Sequence, residues 1–150
     1  MTTHTETRDI AAPREVVFDL VADVERYPEF LPLWNEARVY RHSRGGIYFT
    51  EQEVGIGPIR QRFHTRTTLV RPERIDITSN DPSFRTFHIG WEFAERPGGC
   101  RVCIVLSWRV KSWLLQRGID MVLPETAKSM VDAFERQARQ AVNAAGRSSS

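Results

Sequence analysis

Residues 17–32 read VFDLVADVERYPEFLP, and this stretch carries the strongest structural signal in the chain. Its apolar positions recur at helical spacing and predict an amphipathic helix: Val17, Leu20, Val21 and Val24. Pro13 suits the start of this helix, because its fixed φ and missing N–H are harmless in a first turn. Asp23 can cap a second short helix through its carboxylate. Pro28 and Pro32 then end the helical structure.

Large apolar side chains surround these two prolines. They are Tyr27, Phe30, Leu31 and Trp34. The prolines place them on irregular backbone in our prediction, where such side chains usually line or cover something. We therefore expect this segment to guard an apolar entrance, with ordinary core packing as the alternative for each residue.

The composition predicts one globular domain. Of the 150 residues, 41% are hydrophobic and 27% are charged, which suffices for a real core. The net charge of +2 does not by itself argue for nucleic acid binding. The sequence has no apolar run of membrane-spanning length and no pattern of a secretory or organelle leader, so we expect a bacterial cytoplasmic protein. We expect the domain to cover residues 1–146, with a disordered tail over residues 147–150.

Alternating patterns predict an antiparallel meander of about six or seven strands. The predicted strands cover residues 2–9, 36–44, 47–54, 59–69, 72–78, 86–93 and 102–110. The period becomes helical from about Ser112, and Pro124 should kink this last helix or divide it. A strand, two short helices, a meander and a long C-terminal helix make an α+β arrangement, in which a curved sheet can wrap around the long helix.

Several large aromatic residues fall on one face of the predicted meander. They are Phe49, Phe63, Phe87, Trp91, Phe93 and Trp108. A packed aromatic core and a cavity for a large apolar ligand explain this face equally well at the level of sequence.

Cys100 and Cys103 form a C-x-x-C pair. A zinc site would need further cysteines or histidines at suitable spacing, and none follows. A redox pair would open a helix, whereas this pair opens a strand-like run in which residues three apart face opposite sides. We therefore predict unpaired cysteines, with no metal site and no cofactor.

Residues 20–32 resemble the signature of the coenzyme Q-binding START-domain family. This family belongs to the helix-grip (SRPBCC) superfamily, together with polyketide cyclases and lipid-transfer proteins. Residues 90–93 resemble the family's Trp-x-Phe strand, and residues 130–138 resemble its closing helix. The chain departs from the family pattern at residues 33–34, which read Leu-Trp instead of Trp-Cys or a similar pair, and at Gln137, where arginine is common.

The resemblance implies a helix-grip fold of the START/Bet v 1 type and a single START-like lipid-binding domain. It also implies a protein without enzymatic activity that binds a polyprenyl quinone or similar hydrophobic molecule as a carrier or chaperone. Other relatives cyclise and aromatise polyketides, and a bacterial branch consists of toxins that block the association of ribosomal subunits. These activities are the two alternatives.

We assign the predicted ligand-binding residues to the cavity and its mouth. They are Tyr27, Phe30, Leu31, Trp34, Phe49, Gln61, Phe63, Phe87, Trp91, Leu106, Trp108, Val122, Met130 and Phe134. Three of them, Trp34, Gln61 and Trp108, could donate hydrogen bonds to a polar head group. No residue is predicted to be catalytic.

The alternatives rest on weaker patterns. A cyclase needs an acid or base inside the cavity, and Glu51 and Glu53 could point inward because they share a face with Phe49. A ribosome-binding protein could use the arginine stripe of the strand at residues 59–69, formed by Arg60, Arg62 and Arg66, to contact RNA phosphates. Such charges more commonly form the solvated face of a strand.

A carrier for a membrane lipid must also reach the membrane surface. The proline-bracketed segment could dock on lipid, with residues 113–115 as a second apolar contact. Lys111 and Arg117 lie near that second contact and could meet anionic head groups. We therefore include a transient contact with the inner membrane among the predicted partners.

Overall fold

The computed structural model describes the backbone of residues 3–56 and 59–148, and the side chains of residues 3–55 and 60–144. Within these residues the chain forms seven strands, three α-helices and one 3-10 turn. The strands are β1 (Thr3–Ile10), β2 (Trp34–Ser43), β3 (Ile47–Ile56), β4 (Ile59–Val70), β5 (Arg74–Thr78), β6 (Phe84–Arg96) and β7 (Gly99–Val110). The helices are α1 (Arg14–Ala22), α2 (Tyr27–Phe30) and α3 (Trp113–Ser148), and the 3-10 turn covers Val24–Arg26.

The described strands form one antiparallel sheet in the order β1-β7-β6-β5-β4-β3-β2. Strands β2 to β7 each pair with their neighbour in sequence, whereas β1 pairs with β7, with Ile10 opposite Cys100. The sheet curves around α3, which confirms the predicted α+β helix-grip class. Thr2, which we included in the predicted edge strand, lies outside the described residues.

The predicted hairpin turn between β2 and β3 is present at Gly45 and Gly46. Both residues have positive φ values, +77° and +74°, which glycine adopts readily, and they belong to the three-residue loop between the paired residues Ser43 and Ile47. A Cβ atom on Gly46 would lie 2.9 Å from the carbonyl oxygen of Leu69, so this position also needs glycine for space.

The segment around the two prolines contains more helix than we predicted. After α1 and the 3-10 turn, α2 begins at Tyr27 with Pro28 in its first turn. Proline is tolerated there because the N–H that it lacks would have no partner in a first turn. The predicted irregular backbone is therefore wrong for residues 27–30. The predicted cap is also wrong, because the Asp23 carboxylate makes no capping hydrogen bond.

Leu33 lies between α2 and β2 in a left-handed conformation, with a φ of +75°. This conformation costs an L-residue roughly 1–2 kcal/mol. The carbonyl of Leu33 accepts a hydrogen bond of 2.8 Å from the N–H of Gly55, which fixes the bend against β3. The bend directs Trp34, the next residue, into the core.

Helix α3 runs without interruption through Pro124, so the predicted division of this helix is wrong. Its buried positions pack against the inner face of the sheet, with Leu123 and Phe134 almost fully enclosed. α3 continues to Ser148, two residues into the predicted tail, and residues 149–150 lie outside the described part of the chain. None of the helices that the structure describes has the length and apolarity that a membrane crossing requires.

An ion-pair cluster attaches α3 to the edge strand β1. Arg8 of β1 donates a hydrogen bond to Asp132 of α3 and lies 3.3 Å from Glu135, one turn further along the helix. The hydrogen bond with Asp132 raises the pKa of Arg8. This cluster holds the C-terminal half of α3. Near the start of α3, the side-chain nitrogen of Gln116 donates to the carbonyl of Trp108 at 3.1 Å, and its side-chain oxygen accepts from the N–H of Val110 at 2.8 Å.

Candidate functional site

The space between the sheet and α3 is lined by alternate residues of β3 to β7. The buried side chains of β3 and β4 on this face include the polar residues Thr50, Gln52, Thr65 and Thr67. Those of β6 and β7 are apolar or aromatic: Phe87, Ile89, Trp91, Phe93, Cys100, Val102, Ile104, Leu106, Trp108 and Val110. The interior is therefore mixed on the side of β3 and β4, where Tyr48, Val54 and Phe63 are also buried, and apolar on the side of β6 and β7.

One predicted member of this inner face is wrong. Phe49 lies on the outer face of β3, where the guanidinium of Arg41 lies 4.3 Å from the centre of its ring. Glu51 shares the face of Phe49, as the alternation predicts, but this face is the outer one, so the inward orientation that we considered for Glu51 is wrong; its carboxylate makes a 2.6 Å ion pair with Arg62. The two carboxylates at positions 51 and 53 remain near solvent because burying them would require desolvating a charge. Phe49 therefore cannot contact a ligand inside the protein.

A first cavity, which we call the Trp108 cavity, lies between β4, β6, β7 and the start of α3. The volume open to the centre of a water molecule is about 30 Å³. Its walls are almost entirely apolar and comprise Val54, Gln61, Phe63, Phe84, Phe87, Trp108, Val110, Leu115 and Ile119. Such a volume holds about two waters, so side chains fill most of the space.

The indole N–H of Trp108 is the unusual group in this wall. Trp108 is only 5% exposed, and its Nε1 has no hydrogen-bond partner among the described residues. Its ring stacks on Phe87, with centroids 5.6 Å apart and planes inclined by 14°. A buried donor without an acceptor costs about 1–3 kcal/mol. The site therefore has a donor that an oxygen atom of a ligand could satisfy.

Gln61 contributes the other polar group of the Trp108 cavity. Its side-chain amide donates hydrogen bonds to the hydroxyl of Ser83, at 3.1 Å, and to the carbonyl of Arg62, at 3.0 Å. These bonds hold the amide at the rim of the cavity, where the residue is half-buried. The carbonyl oxygen of Gln61 is thus an acceptor beside an otherwise apolar wall.

A second cavity, which we call the Gln52 cavity, has a volume of about 10 Å³ by the same measure. It is lined by Tyr27, Trp34, Gln52, Phe63, Ile77, Phe87, Ile89, Trp91 and Met130. The carbonyl oxygen of Gln52 accepts a 2.8 Å hydrogen bond from Trp34, and its amide nitrogen donates to Thr50 at 2.9 Å and to Thr65 at 3.3 Å. This closed network fixes the polar end of the interior.

Two phenylalanines separate the cavities. Phe63 and Phe87 line both of them, and their ring centroids lie 5.3 Å apart. The ring of Phe84 packs on both, at 5.5 Å from Phe63 and 4.9 Å from Phe87. These three rings therefore fill the space between the Trp108 cavity and the Gln52 cavity.

Groups that titrate near neutral pH are absent from the described walls of both cavities. The one ionisable side chain is Tyr27 in the Gln52 cavity, whose pKa burial raises well above its usual value. Both histidines of the adjacent strands lie on the outer face, His64 beside Asp81 and His88 beside Asp76. The cavity walls therefore offer hydrogen bonds and apolar contacts but no neutral-pH acid or base.

The structure brings most of the predicted binding residues to these cavities. Those that line at least one cavity are Tyr27, Trp34, Gln61, Phe63, Phe87, Trp91, Trp108 and Met130. Leu106, Val122 and Phe134 line neither; Leu106 and Phe134 are core residues, and Val122 is half-buried on α3. Whether the cavity-lining residues bind a ligand stays a prediction.

The proline-bracketed segment does not offer the surface that we predicted. Tyr27, Leu31 and Trp34 are buried, and Phe30 packs on Phe134 with ring centroids 5.3 Å apart. Phe30 and Leu31 line an open surface groove, together with residues of α3 that include Ser129 and Arg136. The helical turn of α2 explains the difference, because it points the aromatic rings towards α3 instead of solvent.

Several cavity residues were not in the predicted set. They are Gln52, Val54, Ile77, Phe84, Ile89, Val110, Leu115 and Ile119. A signal for Gln52 was available, because the charges of Glu51 and Glu53 favour the outer face and alternation then turns Gln52 inward. No comparable signal marks Leu115 or Ile119, whose role depends on how α3 crosses the sheet.

The middle residue of the arginine stripe of β4, Arg62, is held in ion pairs. Arg62 lies 2.6 Å from Glu36 and 2.6 Å from Glu51, and 3.6 Å from Glu53. These carboxylates neutralise the middle of the stripe, which weakens it as a surface for RNA. Within the described residues no group of histidines, cysteines and carboxylates could hold a metal ion.

The geometry agrees with a known family. The polyketide cyclase/dehydrase and lipid transport family matches residues 10–135, which include β2 to β7 and most of α3. The chain belongs to this family. The match confirms the START-like resemblance that residues 20–32 suggested.

Two relatives with different names match most of the length of this chain. The ribosome association toxin RatA of Pseudomonas aeruginosa is 32% identical over 142 residues, which cover 93% of this chain and 98% of that protein. The mitochondrial coenzyme Q-binding protein COQ10 homolog B of Xenopus laevis is 28% identical over 140 residues, which cover 90% of this chain and 57% of that protein.

A solved structure shares the architecture. The ZhuI aromatase/cyclase from Streptomyces sp. R1128 superposes with a TM-score of 0.81 over 97% of this chain and 98% of that one, at 16% identity. At this identity the similarity shows the fold alone. The relatives and the solved structure have different names, a toxin, a coenzyme Q-binding protein and an aromatase/cyclase, so similarity alone does not assign an activity to this chain.

Proposed function

We propose that this protein binds a polyprenyl quinone in its interior and carries or shields it, without chemical conversion. The supporting observation is the unpartnered indole N–H of Trp108 on an apolar, aromatic wall. A quinone presents a flat ring that can stack on Phe87 and a carbonyl oxygen that can accept from Trp108. The similarity to a coenzyme Q-binding protein supports the same ligand class.

The energetics of the tail favour such a ligand. Each buried methylene contributes ~0.8 kcal/mol, so one five-carbon isoprene unit contributes roughly 3–4 kcal/mol. A few units suffice for micromolar affinity after ordering costs.

The cavities must open to admit this ligand, because about 30 Å³ and about 10 Å³ are too small for a quinone ring. Movement of Phe63 and Phe87 joins the two spaces, and Leu115 and Ile119 of α3 form the opposite wall. Opening therefore requires aromatic rotations together with a displacement of the N-terminal half of α3.

The first experiment is mass spectrometry of lipid extracted from the purified protein. We expect a quinone with a prenyl tail in the organic extract, and uptake of added quinone by protein from which lipid has been removed. Protein that carries no quinone and also fails to take it up would refute the proposal.

A matched pair of variants tests the proposed donor. Trp108→Phe keeps an aromatic ring and removes the N–H, whereas Trp113→Phe makes the same change at an exposed tryptophan of α3. We expect Trp108→Phe to weaken binding of a short-tailed ubiquinone about tenfold, as one buried hydrogen bond implies. Equal affinities of the two variants in equilibrium dialysis would contradict the role of Trp108.

A polyketide cyclase is the alternative that the family keeps open. Cyclisation needs a proton donor or acceptor in contact with the substrate, and Tyr27 is the one ionisable group on the described cavity walls. Because its raised pKa keeps it neutral, it is a poor base near neutral pH. Turnover of an aromatic polyketide precursor that Tyr27→Phe abolishes would favour the enzyme over the carrier.

Inhibition of ribosome association is the second alternative, and the similarity to RatA supports it. The ion pairs of Arg62 argue against the β4 stripe as the contact, although Arg60 and Arg66 remain exposed. Sucrose-gradient sedimentation of bacterial ribosomal subunits with the protein tests this function. A shift from 70S particles to free subunits, lost in an Arg60→Glu, Arg66→Glu variant, would support it.

We propose a bacterial cytoplasm as the setting, with transient attachment to the inner membrane, where polyprenyl quinones reside. Relatives from bacteria support this setting. Fractionation of cells that express the protein at its natural level tests it, with soluble and salt-releasable membrane fractions as the expected locations.

A further inference from the structure

The start of α3 carries an unusual concentration of exposed apolar side chains. Trp113 is 70% exposed, Leu114 is 68% exposed and Met121 is 83% exposed. Among the described residues one other large hydrophobic side chain is comparably exposed, Tyr40 at 47% on β2. Three of four such residues therefore lie within nine positions of one helix.

These side chains form one face of the helix. Leu114 and Met121 are seven residues apart, two helical turns, and Trp113 lies at the adjoining edge. Leu115 and Ile119 lie on the opposite side of the same turns and line the Trp108 cavity. One segment of α3 thus has an inner face that closes the cavity and an outer face that is open to solvent.

The charges around the exposed face are mainly basic. Residues 109–128 contain four basic side chains, Arg109, Lys111, Arg117 and Lys128, against two acidic ones, Asp120 and Glu125. The four basic residues are exposed. The first turn of α3 contains no acidic residue. Asp120 and Glu125 offset half of the basic charge, so the segment combines apolar anchors with a net charge of +2 over residues 109–128.

We propose that this face, residues 111–121, docks the protein on an anionic lipid bilayer. An interfacial helix with tryptophan and leucine among basic residues buries its apolar side in the head-group region and attracts anionic lipids. A stable interface with another protein uses roughly 20–30 residues per side, many more than the three apolar side chains of this face, which argues against a protein partner. A second copy of the chain would also bring like charges together.

The docked orientation places the cavity wall at the bilayer. Leu115 and Ile119 lie within the same turns as the apolar anchors, so displacement of this segment into lipid uncovers the Trp108 cavity on the membrane side. This step extends the proposed quinone binding, but the docking itself needs no bound quinone. The experiment below therefore separates the two proposals.

Co-sedimentation with vesicles tests the docking. The probe is the full chain with quinone-free vesicles of phosphatidylcholine alone or mixed with phosphatidylglycerol. We expect binding to the mixed vesicles, weakening as salt rises, and a blue shift of tryptophan fluorescence that Trp113→Phe reduces. A Leu114→Ser, Met121→Ser variant should lose roughly tenfold in partitioning, because it removes buried apolar area.

Two controls make the result specific. Tyr40→Ser removes an exposed aromatic side chain from the outer face of β2 and should leave vesicle binding unchanged. Lys111→Glu with Arg117→Glu should abolish the preference for anionic vesicles, while circular dichroism shows an intact fold.

Three outcomes would overturn the proposal. They are equal binding to neutral and anionic vesicles, unchanged binding by the Leu114→Ser, Met121→Ser variant, and a dimer in analytical ultracentrifugation that this variant dissociates. The last would assign the face to a second copy of the chain. Vesicle binding without quinone uptake would refute the proposed function alone, and quinone uptake without vesicle binding would refute the docking alone.

Discussion

The rings of Phe63 and Phe87 lie 5.3 Å apart and form a partition shared by both cavities. Their contact explains why an interior with many aromatic residues has so little free volume. It also makes the partition the part of the site that a ligand must displace.

Replacing Phe63 with leucine should therefore join the cavities. We expect faster uptake of a short-tailed ubiquinone in stopped-flow fluorescence, together with a loss of about 1–2 kcal/mol in the free energy of unfolding. Phe93→Leu is the matched control, since Phe93 is equally buried but lines neither cavity. We expect both variants to lose a similar amount of stability, and only Phe63→Leu to take up the quinone faster. Equal uptake rates in the two variants would contradict the role of Phe63 as a partition.

The Gln52 network should contribute to stability through its hydrogen bonds. Gln52→Leu leaves the buried N–H of Trp34 without its acceptor, and we expect a loss of about 1–3 kcal/mol in urea unfolding. Adding Trp34→Phe removes the orphaned donor and should recover part of that loss in a double-mutant cycle. If the losses of stability caused by the two substitutions simply add, Gln52 and Trp34 are not energetically coupled.

Tyr48 should make the protein less stable in alkaline solution. Burial raises the pKa of Tyr48 from 10.0 to about 12, and its hydroxyl donates to the carbonyl of Ala22 at 2.8 Å. Between these pH values the unfolded chain loses the phenolic proton before the folded protein does. The free energy of unfolding is therefore unaffected by this group below pH 10, and it falls by up to about 1.4 kcal/mol per pH unit above it.

The variant Tyr48→Phe should flatten this decline while costing about 1 kcal/mol at neutral pH through the lost hydrogen bond. Tyr27 has a pKa shifted in the same direction, so part of the decline should persist. Tyr40→Phe changes an exposed phenol and serves as the control. Denaturant unfolding from pH 8 to pH 12 measures the free energy of unfolding of the unmodified protein and of both variants. If this free energy falls as steeply with pH in Tyr48→Phe as in the unmodified protein, Tyr48 is not the group responsible.

Gly99 should tolerate no side chain. A Cβ atom there would lie 2.0 Å from the carbonyl oxygen of Ile10, where β1 meets β7. We expect Gly99→Ala to destabilise the protein by about 1–3 kcal/mol or more through overpacking. Gly118→Ala, in the open on α3, should instead stabilise it by about 1 kcal/mol. Thermal unfolding compares the two, and equal effects would contradict the steric explanation.

The sequence was most informative where side-chain alternation was unambiguous. In β4, charged residues at every second position identify the outer face, so Phe63 was correctly placed inside. In β3, Phe49 and Glu51 share a face with opposite preferences, and the two carboxylates at positions 51 and 53 outweigh the single aromatic ring.

Other features depend on three-dimensional packing that a sequence does not specify. Pro28 is compatible with both a helix stop and a first helical turn, and the packing of Tyr27 on Phe134 decides between them. The contribution of Ile119 to a cavity depends on the path of α3 across the sheet. The unpartnered donor of Trp108 emerges only once its surroundings are known.

The pairing of β1 with β7 has a consequence for synthesis of the chain. Thr3 and Ser107, which face each other across these strands, are separated by 104 positions, so this pairing joins the first described strand to the last one. Such long-range pairing slows folding. During translation β1 is synthesised before its partner β7, and its polar, alternating sequence THTETRD protects it from premature association. Completion of the sheet, which encloses the interior, is therefore a late step in the folding of the chain.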